Sequence, residues 1–175
     1  MNPILDLFRV TVERFPDRVA ISDGERSYTF CELWHGAACL ASSIVPSGCA
    51  VGVFVNRTAE SLLLFLSVVF SGNYYVPLDP ALTEEKRKHI IGDAQISVLL
   101  GAEENRVLLD GFNSTFLTSA DAAENEREVP QADSDTPLYM IYTSGSTGAP
   151  KGGAEESRRR AQLPFRLYIT IPVHT

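Results

Sequence analysis

Apolar positions along the chain recur with two periods, and the alternation between them sets out the elements. Ile4, Leu5, Phe8, Val12 and Phe15 fall on one helical face, with Asn2 as cap, Pro3 in the first turn and Pro16 as the stop. The clearest helix is predicted over 29–45, where Phe30, Leu33, Trp34, Ala37, Ala38, Ala41, Ile44 and Val45 keep a continuous stripe. Thr29 and Glu32 are spaced as a capping box, and Pro46-Ser47-Gly48 closes the helix. His35 borders the stripe and reads as a surface or boundary histidine rather than a catalytic one. A third helix runs from a cap at Thr58 to about Phe70; it is apolar on almost every side, which predicts burial, and Gly72 breaks it. A fourth starts at Thr83, with Glu84 and Glu85 in its first turn and Lys86, Arg87 and Lys88 behind, the order the helix dipole favours. These charges read as a solvated face.

Between the helices lie short extended runs. Val19, Ala20 and Ile21 and the segment around Tyr28 flank a turn at Asp23-Gly24. Residues 50–55 are continuously apolar, as in a strand buried on both faces. Tyr74, Tyr75 and Val76 form a strand leading into a stiff loop, Pro77-Leu78-Asp79-Pro80, and 96–100 forms another. Strand and helix thus alternate at the spacing of βαβ units, which predicts an α/β fold with a largely parallel sheet and flanking helices. Residues 101–136 are less regular, with weak strand signals at Val107-Leu108-Leu109 and Thr115-Phe116-Leu117 and an acidic, exposed loop over 120–135. Residues 138–142 then make a strong buried strand.

Composition narrows the partners. The 175 residues carry a net charge of −7, which argues against nucleic acid or an anionic membrane, since both require clustered positive charge. The apolar run 62–70 is too short to span a bilayer, which needs about 20 residues. Cys31, Cys39 and Cys49 are odd in number and lack metal-ligand spacing, so they read as buried thiols. With no basic-then-apolar leader, the cytoplasm is the expected compartment.

The chemistry concentrates directly after the last buried strand, in Thr143-Ser144-Gly145-Ser146-Thr147-Gly148-Ala149-Pro150-Lys151-Gly152. Its glycines let the main chain approach a ligand, its hydroxyls supply short donors, and Lys151 adds a mobile positive charge. Successive backbone N–H groups in such a loop can form an anion-binding nest. These are the parts of a phosphate grip, at the strand end where open α/β sheets bind ligands. A Walker A loop would end in Gly-Lys-Ser/Thr, and this one does not. A flexible Gly/Ser linker is the plain alternative; the preceding strand and the Pro-Lys-Gly finish weigh against it.

From Tyr142 to Gly152 the loop resembles the phosphate-loop signature of the adenylate-forming (AMP-binding) superfamily. Two further segments, Ser27-Tyr28-Thr29-Phe30-Cys31-Glu32-Leu33 and Ser71-Gly72-Asn73-Tyr74-Tyr75-Val76-Pro77-Leu78-Asp79-Pro80, resemble that family's early motifs in order and spacing. Their wording is similar to the amino-acid-activating branch, that of non-ribosomal peptide synthetase adenylation domains and D-alanine carrier-protein ligases. The resemblance implies an incomplete N-terminal subdomain of that fold over 1–152. It implies ATP-dependent activation of a carboxylic acid, an amino acid in this branch, to an acyl-adenylate. Transfer to a thiol would follow, such as the phosphopantetheine of a carrier protein, with Mg2+ accompanying ATP. On the family's pattern Thr143, Ser144, Gly145, Ser146, Thr147, Gly148 and Lys151 would steady the β- and γ-phosphates, while no catalytic or metal-binding residue is assigned. A non-catalytic binding or regulatory module of the same fold, and an unrelated phosphate-binding α/β domain, are the alternatives.

Residues 153–175 depart from the pattern. The family continues there with an apolar strand, whereas this chain has Arg158-Arg159-Arg160, a solvated charge run, and strand character over 167–173 without an evident partner. The expectation is a truncated chain, inactive alone, with a tail out of reading frame. It predicts that a shifted frame downstream of codon 152 encodes a continuing ligase; if sequencing of the coding DNA shows neither frame doing so, the expectation fails.

Overall fold

In the computed structural model the described residues are 3–45, 47–123, 137–142 and 168–170. They form an α/β structure. Helix α1 (Pro3–Arg14) leads into an antiparallel hairpin of β1 (Val19–Ser22) and β2 (Ser27–Thr29), then α2 (Phe30–Ala41). A parallel sheet follows, of order β4-β3-β5-β6, from β3 (Ala50–Phe54), β4 (Tyr74–Leu78), β5 (Val98–Leu100) and β6 (Thr115–Leu117). Helices α3 (Ala59–Phe70) and α4 (Glu84–Asp93) connect β3 to β4 and β4 to β5.

Burial on both faces explains the uniform apolarity of β3. Val51 and Val53 point to one side, where with Val98 and Leu100 they meet Leu33, Leu40 and Ile44 of the α2 region and Leu63, Leu64 and Val68 of α3. Ala50 and Phe54 point to the other, where with Val76, Leu78 and Leu99 they meet Ile90 and Ile91 of α4. The period-two alternation of a strand therefore feeds two cores from one apolar run. Each fully buried leucine or valine among them contributes about 1.5–3 kcal/mol. Gly52 lies in this run because a Cβ there would come within 2.5 Å of Leu99 Cδ2 and 3.0 Å of Leu78 Cδ1.

Several sequence expectations hold in detail. The Thr29–Glu32 capping box forms in both directions, with Glu32 N–H donating to Thr29 Oγ1 at 3.2 Å and Thr29 N–H to Glu32 Oε2 at 2.8 Å. Helix α3 is buried as its composition requires, and His35 is exposed. The three cysteines form no disulfide, as expected, but are half-buried rather than buried. Among the described residues no helix is long and apolar enough to cross a membrane.

Other expectations are corrected. Helix α2 ends at Ala41, not Val45: Ser43 and Ile44 bond back only three residues, and Val45 stands before Pro46, which disfavours the helical conformation. Strand β4 runs through Pro77 and Leu78, which sequence assigned to a loop. Tyr74 N–H points to the β3 side and Tyr75 N–H to the opposite side, onto Leu138 O. By alternation Pro77's missing N–H faces away from β3 and costs that pairing nothing. Val107-Leu108-Leu109 belong to a 3-10 helix, Glu103–Leu109, rather than a strand. Arg87, read as solvated, is 5% exposed; its Nη1 donates to Leu82 O at 2.9 Å.

Thr58 occupies the cap position of α3, yet its side chain makes no capping bond. The cap comes from Asp23 in the β1–β2 turn, whose Oδ2 accepts from Ala59 N–H at 2.7 Å while Oδ1 accepts from Glu25 and Arg26 N–H at 3.0 and 2.8 Å. These donors, Ala59 first, hold the Asp23 carboxyl below its ordinary range. A carboxyl lowered in the folded state adds stability above its unfolded value, and that stability is lost as pH falls through the folded one.

Gly52→Ala should destabilise the chain by about 1–3 kcal/mol through overpacking, read as a drop in urea midpoint with unchanged slope. Asp23→Asn should flatten the acid limb of stability against pH, measured by urea unfolding at a series of pH values below neutrality; an acid limb identical to wild type would show that the Asp23 cap contributes nothing.

Candidate functional site: the carboxyl end of strand Met140–Tyr142

A further parallel strand lies beside β4, joined to it by a single bridge between Tyr75 and Tyr139 and paired with β8 (Tyr168–Thr170) in a two-stranded sheet of its own. Strand β7 (Met140–Tyr142) is entered through Leu138 and Tyr139, and Tyr75 N–H donates to Leu138 O at 3.2 Å, with Tyr75 and Tyr139 in parallel register. Their rings stack at 5.6 Å between centroids and 21°, and Phe65 of α3 lies 4.5 Å from Tyr75 on the same side. Tyr75 is half-buried, and burial raises its phenol pKa. Such aromatic contacts across neighbouring strands are worth about 0.5–1.5 kcal/mol beyond their area, and they fix β7 in register.

On the opposite face Met140 and Tyr142 pack against the cluster that holds Ile90 and Ile91. The Tyr142 hydroxyl donates to Asp93 Oδ2, at the end of α4, at 2.7 Å. Burial first, then this hydrogen bond, pushes the Tyr142 phenol well above the ordinary tyrosine range, so it stays protonated and remains a donor. Since β7 is parallel to β4, and β4 to β3 and β5, Tyr142 ends at the same sheet edge as Leu78, Phe54 and Leu100.

All seven residues predicted to grip phosphate, Thr143, Ser144, Gly145, Ser146, Thr147, Gly148 and Lys151, lie outside the described residues. What is described is their point of departure, the carboxyl end of a parallel strand. Strand β8 (Tyr168–Thr170) pairs in parallel with Met140–Tyr142, which supplies a partner for strand character that had none in the sequence.

The neighbouring loops of that edge are closed by polar side chains that sequence reasoning missed. After β3, Asn56 Nδ2 donates to Asn105 Oδ1 at 3.0 Å and to Glu104 Oε1 at 3.1 Å, and Asn105 Nδ2 donates back to Asn56 Oδ1 at 3.2 Å. Asn105 is buried and satisfied, and its Oδ1 also accepts from Ala102 N–H at 3.0 Å. Gly101 makes room for it, because a Cβ there would meet that oxygen at 2.7 Å. The pair is 49 residues apart, so no local signal marks it. Arg57, next to Asn56, holds a left-handed φ of 58°. Among the described residues no three His, Cys, Asp or Glu side chains are grouped to hold a metal ion.

Comparison with known proteins follows the same outline. The chain is 37% identical to a linear gramicidin synthase of Brevibacillus parabrevis over 94% of its length, and 32% identical to bacitracin synthase 3 of Bacillus licheniformis over 98%. It spans only 3% of either relative. The N-terminal subdomain of Klebsiella oxytoca NpsA, in complex with 3-hydroxybenzoyl-AMSN, superposes with a TM-score of 0.73 at 25% identity, covering 86% of this chain and 40% of that one. The family described as AMP-binding enzyme matches residues 8–154, from α1 through the run that ends at Gly152. An α/β domain with this strand order, whose strand β7 is followed by that run, therefore belongs to the AMP-binding enzyme family.

Proposed function

We propose that residues 1–152 are the N-terminal part of an adenylation domain, and that the run after Tyr142 holds the phosphates of ATP. In the whole protein the reaction is attack of a carboxylate oxygen on the α-phosphorus, with cleavage of the α–β phosphoanhydride. The products are an acyl-adenylate and pyrophosphate, and the acyl group then passes to a thiol. An amino acid is the substrate class and a carrier-protein phosphopantetheine the acceptor. The support is the family match over 8–154 together with the relatives, a gramicidin and a bacitracin synthase by name. The family match also removes the unrelated phosphate-binding domain as an alternative.

In this reading the contribution of the chain is electrostatic. Negative charge grows on the departing pyrophosphate, and donors already aimed at it lower the barrier without reorganising. Thr143, Ser144, Ser146 and Thr147 supply hydroxyls, Gly145 and Gly148 exposed backbone N–H groups, and Lys151 a full positive charge. Mg2+, where it accompanies ATP, would neutralise phosphate charge; among the described residues no three His, Cys, Asp or Glu side chains are grouped to hold it. A non-catalytic module of the same fold would use the same grip without turnover.

ATP–pyrophosphate exchange by the purified chain, with a panel of amino and aryl acids, tests the reading. Exchange above a Lys151→Ala control marks a complete adenylating site within the chain. Folded chain that exchanges nothing, yet binds ATP about tenfold more tightly than Lys151→Ala does, is a phosphate grip that needs the rest of its protein. Folded chain that neither exchanges nor binds ATP rules the grip out.

A further inference from the structure

We infer that Arg87 forms an oxyanion site at the N-terminus of α4, which holds a phosphate group on the unused edge of its guanidinium; the site goes beyond the function proposed above and uses none of the residues after Tyr142. Arg87 shares the inward face of this ten-residue helix with Ile90 and Ile91, and it is 5% exposed. A guanidinium keeps its charge there, and arginine is almost never buried so fully unless it is paired. Among the described residues Arg87 takes part in no ion pair. Its Nη1 donates to Leu82 O at 2.9 Å, while its Nε is buried without an acceptor. A buried donor left unmatched is costly, most of all on a charged group, so the orphan nitrogen marks the place of a missing acceptor.

Side chains on a helix lean toward its N-terminus, and the bond to Leu82 O, just before the cap residue Thr83, holds the Arg87 guanidinium at that end. There the first-turn N–H groups carry the positive end of the helix dipole. Strand β4 ends at Leu78 and α4 begins at Glu84, so this helix end stands at the carboxyl edge of the sheet, where open α/β sheets bind ligands. A surface depression at the same place is lined by Thr83, Glu84, Glu85 and Lys88. With Nη1 engaged, the edge that remains is Nε and Nη2, two parallel N–H donors spaced for two oxygens of one phosphate. The Thr83 hydroxyl accepts from Lys86 N–H at 3.4 Å and keeps its own proton to donate. Of the two acids in the first turn, Glu84 is held by Lys88, and Glu85 is exposed to water and salt, which screen it.

Titration of the chain with inorganic phosphate, against chloride at matched ionic strength, tests this through the urea midpoint and the Nε–H resonance of Arg87. Phosphate should raise the wild-type midpoint and move the Arg87 Nε–H signal to saturation. Arg87→Met fills similar space without charge and should bind phosphate about tenfold more weakly, whereas Arg87→Lys keeps the charge without the fork and should lose about fivefold. Lys151→Ala should leave the response of the Arg87 signal unchanged. A wild-type midpoint that phosphate does not move, or an Nε–H signal that does not shift, overturns the site and leaves the orphan nitrogen to a water molecule. Phosphate that stabilises Arg87→Met as much as wild type overturns it too. A response lost in Lys151→Ala and kept in Arg87→Met assigns the phosphate to the run after Tyr142, which sinks this site and spares the function proposed above. If neither Arg87 variant folds, the Nε–H signal of the wild type decides alone.

Discussion

A parallel strand with neighbours on both sides has no face to give to water, and β3 imposes that condition on everything around it. Its five residues are all buried, Val51 and Val53 toward α2 and α3, Ala50 and Phe54 toward α4. Helices must therefore cover both sides, and the connections α3 and α4 do so. Gly52 sets how closely the α4-side residues Leu78 and Leu99 approach the strand. The sheet's carboxyl edge, from which the run after Tyr142 departs, is a product of this arrangement, because parallel pairing brings the ends of β3, β4, β5 and β7 to one side.

Much of this was legible in the sequence because it depends on local periodicity. The stripe from Phe30 to Ala41, the all-round apolarity of α3 and the unbroken run of β3 each state their own burial. The failures share a cause in packing that the local pattern does not state. Arg87 sits in a row of charges that reads as solvated, and only the packing of α4 shows it buried beside Leu82. Pro77 looks like a loop residue until the neighbour on each side of β4 is known. The triplet of Val107, Leu108 and Leu109 has strand composition but folds into a 3-10 turn whose Asn105 is claimed by Asn56. For the candidate site the same division holds. The glycines, hydroxyls and lysine of 143–151 carry the phosphate-grip expectation by type and spacing but lie outside the described residues, whereas the Asp93 partner of Tyr142, 49 residues away, carries no mark in the sequence.

The family assignment and the site geometry bear on different questions. The family match over 8–154 says which family this scaffold belongs to. The geometry says how a short strand of three residues is held: stacked tyrosines on one face and a phenol–carboxylate bond on the other. Short strands have few backbone bonds, so side-chain anchors weigh more in fixing them.

The Asp23 contact also decides how this chain can be divided. Helix α3 takes its first-turn acceptor from a hairpin turn 36 residues earlier, and Glu60 in the same turn meets both Arg26 of the hairpin and Ser119. The hairpin, α3 and the segment at 118–121 are thus stitched at one corner. A cut or a circular permutation placed between the hairpin and α3 would leave the central helix without its terminal acceptor, even though no apolar core residue had been removed. For recombining domains of this kind, the seam belongs before α1 or after the sheet, and the first two helices travel with the strands they cover.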